Sequence, residues 1–215
     1  MRQRKRRGQT AMVRSGTLDN LLVDELRGLY SAERQLAKVL PRLARGAESG
    51  DLRTAFTAHL AETLAHVRRI EKSLRLLHVV VRAKTCAVMQ GLVRDSVQQL
   101  EVHHGHGLVL DAALINAAQK TDHYQMASYA TVIAQARVLR RHDIAELLTA
   151  TLNEVKAADR LLGRIAEDAN RDAPARPDDG RPFGKAAGAG RTTPPGRGVA
   201  STVHRTARHD AALPR

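Results

Sequence analysis

Four long stretches of this 215-residue chain place a large apolar residue every three or four positions, and that spacing constrains the fold more than any other feature. Over 18–45 the series is Leu22, Leu26, Leu29, Leu36, Val39, Leu40 and Leu43, with Pro41 inside it predicting a kink or a local break. Over 51–78 it is Leu52, Phe56, Leu60, Leu64, Val67, Ile70, Leu74 and Leu77. Over 109–140 it is Leu110, Leu114, Ala118, Ala127, Val132 and Ala136, and over 143–169 it is Ile144, Leu147, Leu148, Leu152, Val155, Leu162 and Ile165. A shorter helical pattern, 85–101, stands between the second and third of these. With aromatic residues at only 2% and no Trp, the apolar content is Leu, Ala and Val, which suits helices better than strands.

The connections turn this list into an architecture. The first two helices are joined by a short turn at Gly46–Gly50, and the last two by a tight connection at Arg141-His142-Asp143. The segment 79–108 between the hairpins is too long for an up-down-up-down bundle. Two antiparallel hairpins with a long crossover predict an all-α, ferritin-like four-helix bundle with a short helix in the crossover. This domain is expected over 17–170.

The ends differ in kind. The arm 1–16 has six Lys/Arg and no acid, and the tail 171–215 has nine Lys/Arg, four acids and six of the seven prolines. Together they supply +11 of the net charge of +13, so the basic character belongs to the ends and not to the domain. Both are too poor in large apolar residues to offset the entropy of ordering, and both are expected to be disordered. Their chemistry suits weak, non-specific contact with nucleic acid through phosphates. No uninterrupted apolar run is long enough to span a membrane, and no apolar segment follows the basic start as a secretion signal requires. A single cysteine, Cys86, excludes an internal disulfide and suits a reducing, cytoplasmic setting.

Function is sought where polar residues interrupt the apolar stripes. Glu33 lies on the stripe between Leu29 and Leu36. His59, Glu62 and His66 flank the stripe of the second helix. Asp122 and Gln125 fill the gap between Ala118 and Tyr129, and Asp159 falls between Val155 and Leu162. Each long helix therefore brings an acid near its middle. Carboxylates gathered in an apolar interior require cations or protons, and oxygen ligands with an imidazole suit iron, manganese or zinc.

Several segments together resemble the YciE/YciF group of bacterial stress-associated proteins. They include Leu26-Arg27-Gly28-Leu29-Tyr30-Ser31-Ala32-Glu33, His59-Leu60-Ala61-Glu62-Thr63, Lys84-Thr85-Cys86-Ala87-Val88-Met89, Asp122-His123-Tyr124-Gln125 and Glu154-Val155-Lys156-Ala157-Ala158-Asp159. The resemblance covers nearly all of 17–170 and implies a ferritin-like fold, a dinuclear carboxylate site and a homodimer. It supplies no reaction. Members often have Glu-His-Tyr-Glu where this chain has Asp122 to Gln125, and Glu-Glu-Lys where it has Glu154-Val155-Lys156. Carboxylates are thus shortened or lost, and His66 stands where Gln is common.

The expected ligand set is Glu33, Glu62, His66, Asp122 and Asp159, with Tyr129 or Tyr124 as a donor behind it. The functional expectation is a metal-binding stress protein holding iron, manganese or zinc, with weak di-metal oxidase or peroxide-consuming chemistry. The alternative is a non-enzymatic helical dimer with a vestigial metal site, scaffolding or associating with DNA through its tails. His103, His104 and His106 share one loop without an acid partner. Cys86 at the start of the crossover helix reads as a small buried apolar residue. No phosphate-cradling glycine loop or nucleophile elbow is present.

Overall fold

The structure, a computed structural model, describes residues 16–175, so the arm and tail expected to be disordered lie almost wholly outside the described residues. Five helices follow in order: α1 (Leu18–Gly46), α2 (Gly50–Leu76), α3 (Ala87–Val102), α4 (Leu108–Val138) and α5 (His142–Asp172). Among the described residues there is no strand. α1 and α2 form one hairpin and α4 and α5 the other. α2 also packs on α5 and α1 on α4, which closes the bundle, while α3 lies against α1 and α4.

Local chemistry explains the ends of these helices. Thr17 and Ser49 cap α1 and α2, their side chains accepting from Asn20 N and Leu52 N. α2 and α4 each end in a left-handed residue that is not glycine, His78 at φ 53° and Arg140 at φ 55°. The chain then folds back, with Val79 N donating to Leu74 O and Arg141 N to Ala136 O, as in a Schellman cap. The α1–α2 turn is tied to the second hairpin. Asp111, fully buried, accepts from Glu48 N and Ser49 N at 2.8 Å each. The extended part of the crossover is pinned to α1 by Lys84 N on Arg27 O and by the Arg27 guanidinium on Val80 O.

Three expectations change in detail. α1 runs through Pro41 without a break. Proline leaves the Ala37 carbonyl without its helical donor, but the buried neighbours Val39, Leu40 and Leu43 hold both sides of that turn in the core. Leu64, expected on the inward stripe, is 45% exposed, because the polar residues of α2 take the inward positions. α5 continues to Asp172, beyond the expected start of the tail.

Besides a small cluster of Ala32, Cys86 and Met89, the interior holds two large apolar clusters. One is built on Leu36 to Ala47, Leu52 to Phe56, Leu110 to Ala118 and Leu162 to Ala169. The other is built on Leu22 to Tyr30, Ile70 and Leu74, Tyr129 to Ala136 and Ile144 to Leu148. Between them α1, α2 and α4 are interrupted at mid-length by buried polar residues, and these meet in one layer.

Candidate functional site

The layer is buried: Glu33, Thr63, His66, Asp122 and Gln125 are at 0% exposure and His59 at 4%. Each sits where a helical turn faces inward, which is why the sequence shows them as gaps in the apolar stripes. Glu33 is the best supported. Its Oε1 accepts from Gln125 Nε2 and from the Tyr129 hydroxyl, both at 2.7 Å. Its Oε2 has no hydrogen-bond partner and faces His66 Nδ1 at 3.4 Å, an atom equally without a partner. A second pair repeats the arrangement: His59 Nε2 stands 3.7 Å from Asp122 Oδ1, and neither is hydrogen-bonded. Asp122 Oδ2, Thr63 Oγ1 and Gln125 Oε1 are also buried without partners.

Electrostatics follow from this burial. Burial, reinforced by the Asp159, Glu33 and Glu62 carboxylates, pushes the Asp122 carboxyl up to about 8. Burial brings the His59 imidazole down to about 4, so it is neutral at pH 7. The Tyr129 hydroxyl is driven well above its ordinary value by burial and by Glu33. Glu62 is raised by burial, which outweighs the opposing pull of His66.

On the outer side of His66, Glu154 Oε2 lies 3.0 Å from Nε2, within hydrogen-bond distance. Glu154 is gripped by the Arg69 guanidinium, one N–H on Oε2 and the other on Oε1 at 2.8 Å, which holds its carboxyl below the usual range. Arg69 also donates to Thr151 Oγ1 at 3.2 Å.

Of the five expected ligands, the structure brings Glu33, His66 and Asp122 together in the layer. Glu62 is half-buried and lines a cavity of about 190 Å³ between α2 and α5, together with His59 and Phe56. Asp159 is half-buried, and its Oδ1 is engaged by Gln119 Nε2 at 3.3 Å and faces His123 Nε2 at 3.4 Å. His59 joins the layer although it stands outside the expected set; the spacing His59-x-x-Glu62-x-x-x-His66 was its signal. Tyr129 is the donor behind Glu33, whereas Tyr124 is bonded to Cys86 at 3.0 Å. Cys86 is buried at the start of α3, where Met89 N donates to its sulfur. Nothing in the sequence pattern of Arg69 distinguishes it from a surface arginine.

Among the described residues no group of three or more His, Cys, Asp and Glu side chains is arranged to hold a metal ion. The donors stand instead as two imidazole–carboxylate pairs. Two ligands held about 2.0–2.2 Å from one ion, at roughly 90–120°, stand about 3–3.8 Å apart. The separations of 3.4 and 3.7 Å lie in that interval. The unpartnered atoms and the chemistry of the donors therefore fit a divalent cation, although the pairs are not yet gathered around one point.

Comparison with known proteins gives the chain relatives. The family described as domain of unknown function DUF892 matches residues 17–174. Protein YciF of Escherichia coli strain K12 is 37% identical over 151 residues, which is 70% of this chain and 90% of that protein. The crystal structure of that E. coli stress protein superposes with a TM-score of 0.70 at 36% identity, covering 73% of this chain and 98% of its own. YcfI of Rhodopseudomonas palustris, described as a candidate structural protein, gives a TM-score of 0.67 at 34% identity, covering 72% of this chain and 96% of its own. Among the described residues no helix is long and apolar enough to cross a membrane.

Proposed function

The chain belongs to the family described as domain of unknown function DUF892, and from that premise we propose that it is a stress protein whose mid-bundle polar layer binds a divalent transition cation. Iron and manganese suit the donors best, and zinc is next. One observation supports this reading above the rest. Four buried donor atoms, Glu33 Oε2 with His66 Nδ1 and Asp122 Oδ1 with His59 Nε2, face one another in pairs with no hydrogen bond to any of them. Each unsatisfied buried polar group costs about 1–3 kcal/mol, so the layer is stabilised by whatever cation it takes up. The stress setting is taken from the E. coli relative.

Glu33, His59, His66 and Asp122 would hold the ion, with Glu62 and Asp159 next to reach it. Iron or manganese, when bound, supplies one-electron chemistry toward oxygen or peroxide. The protein's own groups do the rest. Tyr129 and Gln125 fix Glu33, the apolar clusters on either side exclude water, and Asp122 keeps a proton on its carboxyl until a cation displaces it.

The test uses full-length protein purified without a histidine tag, stripped with chelator and melted with and without Mn(II), Fe(II) or Zn(II). A cation at about 100 times its Kd stabilises the folded state by about 2.7 kcal/mol, which raises the melting temperature of a domain this size by about 5–10 °C. Glu33→Ala and Asp122→Ala should abolish the rise, and replacing His103, His104 and His106 by Asn should not. If no cation moves the wild-type melting temperature, the cation-binding reading fails.

A second reading, a non-enzymatic scaffold with a vestigial site, has its own support. The Gln125 amide occupies Glu33 Oε1 where relatives often offer a second carboxylate, and among the described residues no ready-made ligand group is assembled. The R. palustris relative is described in structural terms. An unmoved melting temperature would favour this reading.

A further inference from the structure

The Glu154–Arg69 pair is buried more deeply in the logic of the site than its half-exposed position suggests. His66 is fully buried and has one carboxylate on each ring nitrogen: Glu154 Oε2 at 3.0 Å from Nε2 and Glu33 Oε2 at 3.4 Å from Nδ1. The two contacts differ in kind. A charge-assisted N–H···O bond is about 2.7–2.9 Å long, and the Nε2 contact is near that length while the Nδ1 contact is well beyond it. The proton therefore belongs on Nε2, donated to Glu154. Nδ1 is then a bare lone pair pointing at a bare carboxylate oxygen, a repulsive arrangement that a cation between them turns into an attractive one.

What holds this orientation is Arg69. Its planar guanidinium binds Glu154 through two N–H groups and is itself anchored on Thr151 of α5. The guanidinium fixes the Glu154 carboxylate in place, with Oε2 held 3.0 Å from His66 Nε2. The chain α5 Thr151, α2 Arg69, α5 Glu154, α2 His66 crosses between the two helices three times, so the ring orientation depends on how α2 and α5 pack. Partners of this kind on a ligand histidine set its tautomer and strengthen its basicity.

We propose that Glu154 and Arg69 are positioning residues that lock His66 in the Nε2–H tautomer, so that its Nδ1 lone pair and Glu33 Oε2 form one ready half of a divalent-cation site. This rests on the cation-binding reading above, but the tautomer itself is a property of the metal-free protein and is measured separately. Glu154, on this account, is not a ligand.

The experiment is nuclear magnetic resonance of the histidine ring nitrogens in full-length, metal-free protein near neutral pH, with His66 assigned by His66→Asn. It is paired with Co(II) titration. Wild type should show His66 protonated on Nε2 alone. Glu154→Leu should lose that single tautomer and weaken Co(II) binding about 10–100-fold. Glu154→Gln, whose amide oxygen still accepts the Nε2 proton, should keep the tautomer and most of the affinity. If Glu154→Leu fails to fold, the wild-type and Glu154→Gln spectra decide. A wild-type ring protonated on Nδ1 or on both nitrogens would overturn the proposal, as would a Glu154→Leu variant with unchanged tautomer and affinity. An Nε2–H ring in a protein that binds no Co(II) would support the clamp and sink the cation-binding reading instead.

Discussion

Asp122 has both carboxylate oxygens buried without a hydrogen-bond partner, and burial together with the Asp159, Glu33 and Glu62 carboxylates favours its protonated form up to about pH 8. The consequence for stability has a definite sign. A carboxyl raised from 3.8 to about 8 binds its proton more tightly in the folded state, so its contribution is complete at acid pH and is lost as pH rises through about 8. His59, lowered from 6.5 to about 4, works the other way: its contribution is present above 6.5 and is lost as pH falls toward 4. The two slopes oppose each other between 4 and 6.5, and only that of Asp122 remains from 6.5 to 8. Chelator-treated protein should therefore lose stability to denaturant over that upper interval, and Asp122→Asn should flatten the loss. A wild-type profile that is level or rising there would contradict the buried proton. Gln125 allows a complementary prediction, because its Nε2 donates to Glu33 Oε1 at 2.7 Å. Gln125→Glu puts a second carboxylate in that place. It should destabilise the metal-free protein by about 2–4 kcal/mol and tighten Mn(II) binding at least about tenfold through the added anionic ligand. Melting with and without Mn(II) reads both, and effects of the same sign would count against the site.

Helix ends and turns decide how the hairpins meet. Asp111 sits in the first turn of α4, yet it spends both oxygens on Glu48 N and Ser49 N of the α1–α2 turn. Asp111→Ala leaves those donors without their acceptor and should cost about 2–3 kcal/mol, measured by urea unfolding, while Asp111→Asn should recover part of the loss through its one remaining oxygen. An Asp111→Ala protein as stable as wild type would mean that the turn is held by something else. Arg140 illustrates the opposite economy. It adopts φ 55° to close the Schellman cap of α4, a conformation that glycine takes without strain. Its side chain makes no hydrogen bond or ion pair with the described residues that would compensate, so Arg140→Gly should raise stability by about 0.5–1 kcal/mol once the entropy of the unfolded glycine is set against the relieved strain. Neither feature is legible from periodicity. Asp111 reads as an ordinary acid favouring a helix N-terminus, and only the approach of the other hairpin gives it donors.

At the scale of the molecule, a polar layer between two large apolar clusters is the organising fact, with a basic arm and a basic tail lying almost wholly outside the described residues. Fifteen of the Lys/Arg residues lie in those ends and the domain is nearly balanced, so the full chain should retard duplex DNA at about 50 mM salt and release it by about 200 mM. Binding that persists at the higher salt would assign the contact to the ordered helices instead. The bundle itself was legible before any coordinates. Spacings of three and four residues specify helices whatever they pack against, and two short turns flanking a long crossover leave few ways to pair them. The inward positions of Glu33 and Asp122 were legible for the same reason, since a polar residue in an apolar stripe tends to be carried inward with it, whereas His66 only flanks the stripe of α2 and Asp159, on its stripe, stays half-buried. The sequence by itself thus determined the helices, their pairing and the depth at which charge is buried. What only the tertiary structure decided is which atoms meet. It turned Asp159 toward Gln119 and His123 and drew His59 onto Asp122. It also set Glu154 and Arg69 behind His66. Those contacts join residues of different helices, and they depend on the rotation and crossing of α2, α4 and α5, which the spacing along any one helix does not encode.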